Sequence, residues 1–232
     1  MVDLVMFDID GTLVDSMEFD GQLYLAAIRA ELRIEPDQDW STYPHVTDSG
    51  LLDTILQQHR IDDRDGARRA AVKRLFVAMT RDYIGSDPGA VREIPGAIAL
   101  LALLRSQPGY RVAIATGGWR ETAWLKLQAA GFDLDGIAVA SANDAHSRVE
   151  IMKIAAQRAM GGLEPRRRTY FGDGVWDLRA CADLGWDFIA IGDRLAHEPA
   201  FASFSDHARI LASLGVRSPP PHATADPTHA TR

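Results

Sequence analysis

Apolar residues follow two rhythms along this chain. Short apolar runs recur at Leu4 to Phe7, Arg111 to Ala115, Ile137 to Ala140, Thr169 to Phe171 and Phe188 to Ile191. Each has the length and composition of a buried strand. Between the later runs the spacing turns helical. Pro95 opens a stretch whose apolar face carries Ala97, Ile98, Leu101 and Leu104. Others run from about Glu121 to Gly131, from about Ser147 to Gly161-Gly162, and from Gly174 to Gly185. Strands alternating with helices predict an α/β fold with a parallel sheet.

The first strand is not followed by this alternation. From Asp15 to Glu93 the pattern holds only helices: Met17 to Arg33, a second entered through Thr47-Asp48-Ser49, and a third over Asp62 to Ile84 that ends in Gly85-Ser86-Asp87-Pro88-Gly89. This stretch reads as an all-helical insertion. The segment 216–232, with Pro219-Pro220-Pro221 and few apolar residues, reads as disordered.

Polar clusters follow the strands. Leu4 to Phe7 runs into Asp8-Ile9-Asp10-Gly11-Thr12, and side chains two apart on a strand point the same way. Two carboxylates that close are costly unless a cation or a proton lies between them. Thr116-Gly117-Gly118 follows the second strand, a hydroxyl and exposed amides suited to phosphate oxygens. Gly172-Asp173-Gly174-Val175-Trp176-Asp177 follows the fourth, where Asp173 with Asp8 supplies the oxygen ligands that Mg²⁺ prefers. In parallel sheets ligands bind beyond the strands' carboxyl ends, so these clusters share one edge. A transferring phosphoryl group also needs a cation, for which Arg148 and Lys153 are the candidates. Arg148, at a helix start, is favoured over Lys153 in the helix body.

Composition narrows the partners. A net charge of −7 over 232 residues argues against broad electrostatic binding to nucleic acid or to a membrane. No apolar run approaches a membrane span, and the chain opens with a strand, not a signal segment, so a cytoplasmic location is expected. The single cysteine, Cys181, permits no internal disulfide and reads as a buried apolar residue.

Taken together, Asp8-Ile9-Asp10-Gly11-Thr12-Leu13-Val14-Asp15-Ser16, Thr116-Gly117-Gly118, Arg148 and Gly172-Asp173-Gly174-Val175-Trp176-Asp177 resemble the four ordered motifs of the haloacid dehalogenase-like hydrolase superfamily. The match covers roughly residues 1–195. The resemblance implies a Rossmann-like core with strand order 3-2-1-4-5 and helices on both faces, formed by residues 1–14 and 94–215, and a mobile helical cap formed by residues 15–93. It implies Mg²⁺ as cofactor and an aspartyl-phosphate intermediate. By position, Asp8 is the nucleophile and Asp10 the general acid/base, whose backbone carbonyl also binds the metal. Thr116 and the Gly117 amide bind phosphate, Asp173 ligates the metal and Asp177 supports it. Arg148 stands where the family usually has lysine, and Gly118 where many relatives have a polar residue.

Dehalogenases of this kind lack the second aspartate, so Asp10 favours phosphate chemistry. The expected substrate is a small phosphorylated metabolite, and the protein is expected to be a monomer or homodimer. A phosphomutase using the same nucleophile is the alternative. A phospho-acceptor signalling module is disfavoured, because Asp8 and Asp10 share the first strand. Thr47 and Ser49, in the loop entering the second insertion helix, are candidate substrate contacts, with plain helix capping the competing reading; His45 and Trp119 are further candidates for the cleft.

Overall fold

A computed structural model describes residues 2–87 and 89–215. The segment 216–232, expected to be disordered, lies outside the described residues.

The sheet is built around β1 (Asp3–Phe7), whose five residues are all buried. After it come β2 (Val14–Asp15), α1 (Met17–Leu32), a short 3-10 turn (Trp40–Thr42), α2 (Asp48–Gln58), α3 (Ala67–Ser86) and β3 (Arg92–Glu93). The alternating part follows: α4 (Ala97–Ser106), β4 (Tyr110–Ala115), α5 (Arg120–Ala129), β5 (Ala138–Ala140), α6 (Arg148–Met160), β6 (Arg168–Gly172), α7 (Val175–Leu184), β7 (Asp187–Ile191), β8 (Ala200–Phe201) and α8 (His207–Ser213).

The main sheet runs β5-β4-β1-β6-β7-β8, with every pairing parallel. The five strands legible in the sequence hold the order 3-2-1-4-5. The observed order differs by a sixth strand at the β7 edge, where Ala200 and Phe201 pair with Ala190 and Ile191. Two residues make no periodic pattern, so only pairing defines that strand. A separate two-strand ribbon joins β2 to β3, with Val14 opposite Glu93 and Asp15 opposite Arg92.

Alternation along β1 divides the core. Val5 and Phe7 enter one apolar cluster, where Phe7 stacks on Phe171 at 4.9 Å, and Leu4 and Met6 enter the cluster on the other face. The helices after β1 have a third apolar centre of their own, including Tyr24, Ile28, Leu52, Ile55 and Phe76. Trp119, from the loop after β4, is buried in it. The third insertion helix starts at Ala67, not at Asp62. The Asp63 carboxylate accepts the Arg68 and Arg69 amides, so the residues before Ala67 form a capping turn. Among the described residues no helix is long and apolar enough to cross a membrane.

Candidate active site

Every strand that carried a polar cluster delivers it to the same carboxyl edge. Asp8 leaves β1 buried, its amide bonded to the Phe171 carbonyl. The chain then turns sharply at Gly11, whose φ of +76° disfavours any residue with a side chain. A Cβ there would also lie 2.2 Å from Asp173 Oδ2. Glycine therefore lets the β1 loop and the β6 loop close around one point.

Asp8, Asp173 and Asp177 meet at that point, with one oxygen from each within 4.8 Å of the others. All three are buried. Burial, then the Asp177 charge, raises the Asp8 carboxyl well above the ordinary range. The same two causes push Asp173 up to about 7. Asp173 Oδ1 and Asp177 Oδ1 have no hydrogen-bond donor. Three buried carboxylates, two of them with an unsatisfied oxygen, fit a hard divalent cation and are costly without one. Asp177 also accepts the Gly174 amide at 3.1 Å, which fixes it at the start of α7.

Arg148 supplies the fixed positive charge. It is buried at the start of α6, with Nη1 2.8 Å from Asp177 Oδ1, out of hydrogen-bonding direction, and 3.3 Å from Asp8 Oδ1. Burial opposes its charge, but Asp177 and Asp8 outweigh that and raise it further. Its Nη2 donates to the Val46 carbonyl at 3.3 Å, across to the insertion. Lys153, the competing candidate, lies exposed and pairs with Glu150. Arg194 reaches Asp173 Oδ2 at 3.3 Å from a largely exposed position.

Thr116 is buried beside this group, and its hydroxyl accepts the Gly118 amide at 3.1 Å. A Cβ on Gly117 would meet the Arg148 guanidinium at 2.4 Å, so glycine lets the arginine approach the loop.

The Asp10 carboxylate stands apart from the three-carboxylate cluster. Its Oδ1 accepts from the Ser16 hydroxyl and, at 2.5 Å, from Lys126 Nζ. Lys126 was not apparent as a site residue in the sequence. It is fully buried and also donates to Asp20 Oδ1 of α1 at 2.7 Å. Its signal is faint but legible: Thr122, Ala123, Lys126 and Leu127 form the buried face of α5, and a lysine there must have partners.

Thr47 lines the cavity and Ser49 does not, and both hydroxyls are engaged in contacts between the insertion and the core. Thr47 Oγ1 accepts the Gly50 amide as the cap of α2 and donates to the His146 carbonyl at 2.6 Å. Ser49 Oγ donates to the Ala142 carbonyl and accepts Trp119 Nε1, and the residue does not line the cavity. Both hydroxyls dock the insertion on the core. Asp48 does the same, accepting the Trp119 amide at 2.6 Å, while its own amide donates to Gly117. His45 also lies outside this cavity, and Trp119 is in the insertion's apolar centre.

The cavity, of about 110 Å³, lies between the β-strand edge and the insertion. Asp8, Thr116, Gly117 and Arg148 form its floor, and Met17, Tyr24, Trp40 and Leu51 face them from the insertion. Asp20 and Asp48 add two further carboxyl groups. Burial and Asp20 push Asp48 up to about 8.

The fold and this edge define an α/β protein whose acidic centre suits a divalent cation. The chain belongs to the haloacid dehalogenase-like hydrolase family, which matches residues 2–185. It is 33% identical over 138 residues to a Dickeya dadantii protein named "Probable phosphatase IndB". That match spans 58% of each chain, so it covers just over half of the relative's length. A hydrolase from Pseudomonas syringae shares the fold, with a TM-score of 0.68 at 19% identity over 92% of this chain and 99% of that one. So does a β-phosphoglucomutase from Clostridium difficile, with a TM-score of 0.66 at 15% identity over 93% and 99% of the two chains.

Proposed function

We propose that this protein is a Mg²⁺-dependent phosphatase that removes phosphate from a small phosphorylated metabolite through an aspartyl-phosphate intermediate. The observation that carries the reading is the meeting of Asp8, Asp173, Asp177 and Arg148 beside the Thr116 loop.

In this reading Asp8 attacks phosphorus. A bond forms from its carboxylate oxygen to phosphorus as the bond to the leaving oxygen breaks. Asp10 gives that oxygen its proton, then takes one from the water that cleaves the intermediate. Asp8 is thereby regenerated and inorganic phosphate is released. Thr116, the Gly117 amide and Arg148 hold the equatorial oxygens. Asp8, Asp173 and the Asp10 carbonyl would hold Mg²⁺, supported by Asp177; bound there, the ion neutralises phosphoryl charge. Residues 15–93 act as a cap, contributing the Tyr24 and Trp40 wall that excludes bulk water.

A phosphomutase working through a bisphosphate would need a cationic site for a second phosphate. The cavity instead presents Asp20 and Asp48, and Arg148 is the only arginine or lysine lining it among the described residues. This supports a monophosphate whose remainder carries no further negative charge, and hydrolysis over mutation. The test is a panel of phosphomonoesters with and without Mg²⁺. Wild type should release inorganic phosphate only with the metal, and folded Asp8→Asn should release none; turnover by Asp8→Asn would refute the assignment.

A further inference from the structure

We propose that Lys126 is a positioning residue for Asp10, holding Asp10 Oδ1 together with Ser16 so that Oδ2 faces the phosphoryl site, and that Asp20 ties this arrangement to α1. The proposal rests on the phosphatase reading above, in which Asp10 moves the proton.

Three observations carry it. First, Lys126 Nζ has no exposure to solvent and donates to two carboxylates, Asp10 Oδ1 at 2.5 Å and Asp20 Oδ1 at 2.7 Å. Burying an ammonium is costly without partners of opposite charge, and here they outweigh burial and keep the group charged. Second, Ser16 and Lys126 both approach the same Asp10 oxygen. The other oxygen lies on the cradle side: a Cβ on Gly118 would be 3.7 Å from Asp10 Oδ2 and 3.5 Å from Thr116 Oγ1. One oxygen is anchored and the other is presented. Third, the three partners come from different parts of the chain. Asp10 follows β1, Lys126 is on α5, and Asp20 is on α1 in the insertion.

Lys126 does not line the cavity, so it acts through Asp10 and not on substrate. A carboxylate anchored at one oxygen loses the rotation that would otherwise present the wrong one. Proton transfer depends on heavy-atom geometry of hydrogen-bond length, so losing the anchor should act on turnover more than on binding.

Lys126→Met alone leaves two partly buried carboxylates without their cation and risks misfolding. The charge-matched variant Lys126→Met/Asp20→Asn removes one positive and one negative charge together, and Asp20→Asn alone keeps Lys126 on Asp10. The assay compares p-nitrophenyl phosphate, whose leaving group needs little protonation, with 2-phosphoglycerol, whose alkoxide does. For the double variant kcat on 2-phosphoglycerol should fall by about 100-fold or more, in line with loss of general acid catalysis, with KM within about twofold. On p-nitrophenyl phosphate the first turnover should be far less affected, giving a burst of nitrophenolate before slow hydrolysis. A crystal structure of the same variant should show the Asp10 carboxylate rotated.

Equal losses in the first turnover of both substrates, or a rise in KM with kcat unchanged, would overturn the proposal. So would an Asp10 that keeps its orientation in the variant crystal, a readout that needs no turnover at all. Asp8→Asn assayed alongside separates the two readings: if Asp8→Asn turns over, the phosphatase mechanism itself fails; if it is inactive while the Lys126 variants behave as wild type, only the positioning role fails.

Discussion

Divalent cations should stabilise this protein strongly above neutral pH and weakly in acid. The perturbation is removal or addition of Mg²⁺, and the group that sets the size of the effect is Asp173. Its carboxyl rises from an ordinary 3.8 to about 7, first through burial and then through Asp177. A carboxyl with a raised pKa binds more protons folded than unfolded, so metal-free stability falls as pH climbs from about 4 to about 7. The difference between 3.8 and about 7 corresponds to about 4 kcal/mol lost across that window. A cation seated among the three carboxylates favours the ionised form and offsets this. At a concentration about 100 times its dissociation constant it adds about 2.7 kcal/mol, or about 5–10 °C in Tm for a chain of this size. At pH 5 the cation must first displace the Asp173 proton, and the rise should be under about 2 °C. The assay is calorimetry with EDTA or with 5 mM MgCl₂ (roughly the saturating excess assumed above) at pH 5, 6, 7 and 8. The reasoning is refuted if Mg²⁺ leaves Tm unchanged at pH 8, or if the gain is as large at pH 5.

Two further substitutions probe the site. Gly11→Ala forces a side chain into a left-handed turn and against Asp173; it should lower stability by about 1–3 kcal/mol and abolish the Mg²⁺ response in the same calorimetric series. Asp48→Asn keeps an acceptor for the Trp119 amide but removes a carboxyl whose pKa is pushed up to about 8. Since that raised value makes the wild type lose stability as pH rises from about 4 to about 8, the variant's Tm relative to wild type should increase between pH 5 and pH 8.

The sequence made the sheet legible because each core strand is an apolar run ended by an abrupt polar cluster. Asp8, Thr116 and Asp173 stand out by that change alone, and a parallel sheet puts such ends together whatever separates them in sequence. Lys126 gave a weaker signal, since one charged residue on an amphipathic helix face is ordinary until its burial is known. Asp20 gave none, because its partner lies on the core, 106 residues away. For Ser49 the sequence leaves substrate contact and helix entry equally open, because both use the same hydroxyl chemistry; in the structure its hydroxyl bonds Ala142 and Trp119. The start of α3 was misplaced for a related reason: Asp63 caps from outside the helix. The strand Ala200–Phe201 depends on a neighbour, not on any pattern of its own.

The ribbon of β2 and β3 has a consequence for how this protein can change. The chain leaves the core at Val14 and re-enters it at Glu93, and those two residues sit side by side. The doorway is thus closed locally, at a width set by one strand pair. The segment between Val14 and Glu93 can vary in length, because lengthening a closed loop adds little entropy cost. Any such change must keep the ties of Asp20 to Lys126, Val46 to Arg148 and Asp48 to Trp119. Chemistry and selectivity can then diverge at different rates along one chain.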